Sequence, residues 1–376
     1  MSYWQYEYLR EDVTMTRNTT YRIDLLEQGL LSAIQIRMSA SSVSDAFATT
    51  HNWRICDFIS KIEVIGNGST VIKSLSGQEL QALQFFDTGI ASLDYWLSYG
   101  ACTQRFNVML LFGRYLFDTI FGLDLARWNN VELRITNTAT STYFGQDISV
   151  SLLCYYLRDF SGSFRGYMRT EEWKTWTTAQ NTWEYLELPT ENTIRRVIMQ
   201  LIPARSAANI ESTGMSNLAD DIEVSLKTGL IRVYRGGIDD LMRMNVIMLK
   251  RLVMTYPQFY MTNDYGRNVG IGYVLGNAVS GGAMNAAVTN VKPNIEVGNT
   301  AGHQKQTAYG GDSSFQGLFV GQCPENCLLL PFNIPDEPEF YLDPEMQKTV
   351  KLDIHTRDSS SAASGTINVV LDRLVY

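Results

Sequence analysis

The sequence predicts an all-β protein built as two tandem copies of one β-domain, and three observations carry that expectation. Apolar and polar residues alternate at period two through most of the chain. Polar turn-formers separate the runs, and four blocks recur downstream in the same order. Period two is the mark of a half-buried strand, whose successive side chains point to opposite faces.

In chain order, Ile34, Ile36 and Met38 alternate in AIQIRM, then Ile59, Ile62 and Val64 in DFISKIEVIGNGS, then Val108, Leu110 and Phe112 in RFNVMLLFG. Ser41-Ser42, Gly66-Asn67-Gly68 and Gly100 supply turns between them. Many short strands with polar turns indicate a β-sandwich, barrel or jelly roll. Helices are few and short. The clearest starts at Ser76-Gly-Gln-Glu79, where Ser76 can accept from the Glu79 amide while Glu79 reaches back. Leu80 and Leu83 then share a face, and Gly89 offers a stop.

The hairpin VELRITNTATSTYFGQDISVSLLCYYL (131–157) closes the first stretch, and VKLDIHTRDSSSAASGTINVVLDRLVY (350–376) repeats its pattern at an offset of 219. Leu123-Asp124 matches Leu342-Asp343 at the same offset, Ile62-Glu63-Val64 matches Ile222-Glu223-Val224 at 160, and Tyr8-Leu9-Arg10 matches Tyr167-Met168-Arg169 at 159. Alternating strands resemble one another by physics alone, so each match is weak by itself. Their shared order is what predicts two copies. The expected partition is an N-terminal arm 1–20, a first domain 21–157, a linker and lead-in strand 158–183, and a second domain 184–376.

The second copy is longer by about 59 residues between Met244 and Leu342. Residues 263–312 are rich in Gly, Ala, Asn and Thr and have no sustained period, so they are expected as a long surface loop. The chain has 376 residues, 45% hydrophobic, enough for two cores and against disorder. Its net charge of −8 argues against an electrostatic nucleic-acid binder, and solubility is the simpler reason for it.

No catalytic, cofactor-binding or metal-ligating set emerges. The histidines His51, His303 and His355 form no clustered motif. Five cysteines at irregular spacing do not read as a disulfide framework, and a reducing compartment is expected. Cys323 and Cys327 in CPENC read as one arm of a metal site or a small disulfide loop, but no second pair follows at a zinc spacing. Gly270, Gly272 and Gly276 match a dinucleotide fingerprint loosely, without the strand before or the helix after that it needs. Asp239-Asp240 fall where a helix should start, and acids there suit its positive end. Asp220-Asp221 precede a strand.

Tyr3, Trp4, Tyr6 and Tyr8 allow two readings: an arm docking on a neighbour or a membrane interface, or a first strand packing on its own domain. The N-terminus lacks the apolar run of a signal peptide, and nowhere do 18 or more apolar residues run together.

SKIEVIGNGSTVIKSLSGQELQAL (60–83), LFGRYLFDTIFGLDLARWNNVELRITNT (111–138) and FYLDPEMQKTVKLDI (340–354) carry a resemblance to the double jelly-roll major capsid proteins of tailless icosahedral viruses, the adenovirus-hexon lineage. The likeness is architectural and spans nearly the whole chain. It implies two tandem jelly-roll sandwiches, short helices in the connections, no enzyme activity and no cofactor. It further implies homotrimers of pseudo-hexagonal outline and packing against neighbouring capsomers and pentons. Synthesis in the host cytoplasm and residence in the virion follow, with 263–312 on the outer face. Contact with an internal membrane through residues 1–12 is an additional hypothesis. Two other readings stay open: a two-domain β-sandwich that binds or cleaves carbohydrate, and a virion spike or receptor-binding protein.

Overall fold

The computed structural model describes the chain except residues 27, 42–53, 91–94, 98–102, 142–143, 204–214, 251–252, 256–257, 263–264, 272–274, 288–293, 301–302, 310–313, 335 and 358–364; in the rest of 91–102 and 251–321 it describes the backbone. Ten strands make the first unit: β1 (Tyr3–Met15), β2 (Thr20–Asp24), β3 (Leu30–Ser41), β4 (Ile59–Gly66), β5 (Thr70–Leu75), β6 (Tyr95–Leu97), β7 (Thr103–Leu111), β8 (Leu123–Asp124), β9 (Val131–Asn137) and β10 (Ile148–Arg158). β1-β10-β3-β7 form one sheet and β2-β9-β4-β5 the other. Between their inner faces lie Ile34, Ile36, Met38, Ile62, Val64, Val108, Leu110, Leu133 and Val150. Most of the apolar positions that the alternation singled out are therefore core, because only one face of each strand can leave water.

The second unit repeats this plan. It starts with β11 (Tyr167–Thr177), β12 (Trp183–Glu187), β13 (Thr193–Pro203), β14 (Ala219–Leu226) and β15 (Ile231–Gly237). It ends with β23 (Cys327–Pro331), β24 (Val350–Thr356) and β25 (Gly365–Val375). β11-β25-β13-β23 answers β1-β10-β3-β7, and β12-β24-β14-β15 answers β2-β9-β4-β5. The backbone hydrogen bonds repeat at the sequence offsets. Thr138 N donates to Phe58 O at 2.8 Å, and Arg357 N to Leu218 O at 2.9 Å. Leu25 N donates to Val131 O, and Leu188 N to Val350 O, both at 2.8 Å. Leu123-Asp124 and Leu342-Asp343 also share a role: each bridges the equivalent strand (β3 or β13), and each aspartate caps the short helical turn that follows.

One matched block is corrected. Tyr167 lies opposite Val375, whose equivalent in the first unit is Tyr156, and Tyr156 lies opposite Gln5 rather than Tyr8. Register is set by the partner strand, and two irregularities in β1 absorb the difference. The Tyr-x-Arg likeness is a coincidence of composition; the strands themselves are equivalent. Residues 3–15 of the expected N-terminal arm 1–20 are likewise strand β1, paired antiparallel along β10. The second reading of the aromatic tract holds for the backbone, since an alternating segment gains a full ladder by joining the sheet edge.

Short helices sit in the connections. α1 (Ile55–Phe58) precedes β4, α2 (Gly77–Thr88) follows β5, α3 (Ile238–Leu249) follows β15, and α4 (Pro344–Gln347) precedes β24. α2 has the anticipated box, with Glu79 N donating to Ser76 Oγ at 3.2 Å and Ser76 N to Glu79 Oε2 at 2.8 Å, and it ends at left-handed Gly89. Asp239 and Asp240 occupy the first turn of α3. They act through the helix dipole rather than as caps, because Gly237 is the N-cap and no side chain caps the end.

The expected surface loop 263–312 is not structureless. Inserted between α3 and β23 are β16 (Val253–Thr255), β17 (Gln258–Thr262), β18 (Tyr265–Ile271), β19 (Leu275–Ala287), β20 (Asn294–Thr300), β21 (His303–Tyr309) and β22 (Ser314–Pro324). β18 pairs with β6, so the insertion of the second unit extends a sheet of the first. A ladder is made of backbone groups, and Gly- and Ala-rich sequence can build one without an apolar alternation. The loose glycine fingerprint lies between strands β18 and β19, with no helix after it.

Candidate functional site

The two units share a sheet. β5 of the first pairs in parallel with β11 of the second, Thr170 opposite Lys73 and Glu171 opposite Ser74, which gives the eight-stranded order β2-β9-β4-β5-β11-β25-β13-β23. This junction explains why β13 and β25 are buried almost throughout. Their inner residues, such as Val197, Met199, Val369 and Leu371, fill the second core. Ile198 and Val370 point the other way, into the core cluster of the first unit.

Where the junction is apolar on its flanks, its centre is charged. The Lys73 ammonium donates to Thr170 Oγ1 at 2.7 Å, and that hydroxyl donates to Asp372 Oδ1 at 2.7 Å. Asp372 Oδ2 accepts from Arg196 Nε at 2.8 Å and Arg195 Nη1 at 3.2 Å. Both arginines also pair with Asp87, at the end of α2, and Arg195 reaches Asp336 at 2.7 Å and the Arg114 carbonyl at 3.1 Å. Arg114 in turn holds Asp118 at 2.8 Å.

Burial of these charges is costly unless each is paired, and here each is. Burial pushes the Lys73 ammonium down to about 8, against the pull of Asp372 and Asp87. Burial would raise the Asp372 carboxyl, but the Arg196 and Arg195 guanidiniums and Lys73 hold it at about 2. At neutral pH the cluster is therefore ionised.

A second buried set lies farther along the junction. Arg54, at the start of α1, donates to both oxygens of Glu325 at 2.7 and 2.8 Å and to Asp57 at 2.8 Å. Gln78 donates to Asp57, Gln200 donates to Gln78 and to the Glu325 carbonyl, and Asn368 donates to Gln200. Cys323-Pro-Glu-Asn-Cys327, read from sequence as a metal arm or disulfide loop, is the turn that presents Glu325. Both cysteines are buried free thiols, and Cys323, Glu325 and Asn326 have positive φ. The tight reversal aims the carboxylate at Arg54 instead of bringing sulfurs together. Among the described residues no group of three or more His, Cys, Asp and Glu is placed to hold a metal ion.

His355 bonds Asp220 at 2.6 Å on the outer face of β24, beside Trp183; His51 lies outside the described residues, and the side chain of His303 does too. The aromatic tract is divided. Trp4 packs on Phe117 and Tyr6 meets Tyr155 edge-on, while Tyr3, Tyr6 and Tyr8 remain about half exposed. No described helix is long and apolar enough to cross a membrane.

Sequence reasoning passed over the junction, although it left a signal. Arg195-Arg196 interrupt TIRRVIMQLI, Lys73 interrupts TVIKSL, and Asp372-Arg373 interrupt NVVLDRLVY. A charge inside an otherwise apolar strand must find a buried partner, and these find one another.

Solved structures with this arrangement are viral coat proteins. The fold is a double jelly roll. The major capsid protein of Sulfolobus turreted icosahedral virus superposes with TM-score 0.59 at 12% identity, over 99% of this chain and 97% of that one. The PBCV-1 virus capsid structure matches at 0.59 and 8% identity, over 100% and 94%. The major capsid protein P2 of bacteriophage PM2 matches at 0.53 and 10% identity, over 100% and 98%. No protein-family model and no curated protein sequence matches the chain.

Proposed function

We propose that the protein is the major capsid protein of an icosahedral virus, a structural building block that assembles as homotrimers of pseudo-hexagonal outline. The observation that carries this reading is the pair of jelly rolls fused through one continuous sheet and a fully paired ionic junction. Its length also agrees with the coat proteins of the same fold, end to end. Rigid coupling of two sandwiches suits a tile that must hold its shape in a shell. Virion residence, contacts with neighbouring capsomers and pentons, and display of the 263–312 insertion on the outer face belong to the same reading. So does contact of residues 1–12 with an internal membrane. Deleting 1–12 tests that last contact, and unchanged assembly and membrane association overturn it.

The test of function is the state of the purified protein. Stable trimers of pseudo-hexagonal outline by electron microscopy and native mass, without affinity for oligosaccharides, are expected. A monomer that binds or cleaves oligosaccharides overturns the proposal.

A further inference from the structure

The chain contains one complete junction between jelly rolls and two unused halves of another. β5 is buried over Ile72–Leu75 because β11 pairs with it. Its equivalent β15 is the last strand of its sheet and is mostly exposed, with Leu230 before it at 83%, Ile231 at 43% and Val233 at 39%. On the other side, Met168 and Thr170 of β11 are buried at the junction. Their register equivalents on β1 are Tyr6 and Tyr8, at 56% and 47% exposure, and β1 too is a terminal strand. So the first unit lacks what β11 has, and the second lacks what β5 has. The charges are complementary as well: β15 carries Arg232 and Arg235 with no acid, whereas β1 carries Glu7, Glu11 and Asp12 against Arg10 alone.

We propose that β15 of one copy adds in parallel to β1 of the next, repeating between chains the β5–β11 junction made within each. This rests on the capsid reading only for the number of copies, three. The register follows from the internal junction. Lys73 and Tyr234 are equivalent through Val64 and Val224, and Thr170 and Tyr8 are equivalent through Asp372 and Leu153. Tyr234 therefore stands opposite Tyr8, and Val233 opposite Glu7. A head-to-tail contact of this kind forms a closed ring when the rotation per step divides a full turn. Six jelly rolls from three chains then leave neither β1 nor β15 as an open edge, which removes a site for uncontrolled strand addition.

Glu7→Cys and Val233→Cys place cysteines at exposed, facing positions and leave the cores untouched. Mixing the two single variants under mild oxidation is expected to give a disulfide-linked pair of chains. The double variant is expected to give covalent three-chain rings on a non-reducing gel, and either single variant alone nothing. Arg232→Gln with Arg235→Gln is expected to weaken association roughly tenfold with the melting of the separated chain unchanged. Trimers that form without cross-linking overturn the edge pairing and leave the capsid reading standing. A protein that stays monomeric overturns the capsid reading itself.

Discussion

Asp372 is the residue on which most of the junction turns, because it accepts from Arg195, Arg196 and, through Thr170, Lys73. Replacing it with Ala strands three buried cations, and loss of a single partner in such a group costs about 3–5 kcal/mol. Urea unfolding of Asp372→Ala should show a fall of that size in midpoint-derived stability. Its carboxyl is held at about 2, below its ordinary 3.8, so its contribution is complete above pH 3.8 and drains away as pH falls toward 2. Glu79 has the opposite sign. Burial, aided by Glu172, raises its carboxyl from 4.5 to about 7. Between those values the unfolded chain releases a proton that the folded chain keeps. Stability should therefore fall by roughly 3 kcal/mol as pH rises from 4.5 to 7. Glu79→Gln keeps the reach back to Ser76 and should flatten that slope in a pH series of thermal melts. The capping role of Glu79 was legible in its spacing from Ser76. Its burial was not, because that depends on the second unit closing over it.

At the scale of elements, strands facing one core were readable and strands facing two were not. β9 and β24 alternate buried and half-buried positions along their whole length, as VELRITN and VKLDIHT suggest. β13 and β25 are buried on both faces, so the alternation fades into a continuous run and the charges within it look misplaced. The insertion was located correctly from the difference in offsets. Its strands stayed hidden because backbone pairing writes no period into Gly-, Ala- and Asn-rich sequence. The linker is held as firmly as the strands: Gly122 N donates to Gly166 O, and Arg165 N to Ile120 O, both at 2.9 Å. A methyl group on Gly166 would meet the Val375 carbonyl oxygen at 2.1 Å, and that oxygen belongs to a laddered strand end. Gly166→Ala should lower stability by about 1–3 kcal/mol through this overlap, read from the shift in denaturation midpoint.

For the whole molecule, a shared sheet and a shared core cluster make the two jelly rolls one folding unit. Calorimetry should record a single transition whose van't Hoff and calorimetric enthalpies agree. Two resolved transitions would mean that β5 and β11 part without cost. Neither partner strand is far in sequence from the linker, yet what joins the units is the ladder and the ions, not the peptide between them. Protease therefore offers an odd kind of cut. Ser161-Gly162-Ser163 are the exposed residues of the linker, flanked by Arg158 and docked Phe164. A chain nicked there should run as two bands when denatured and sediment as one intact body in native buffer, covalently divided but mechanically whole.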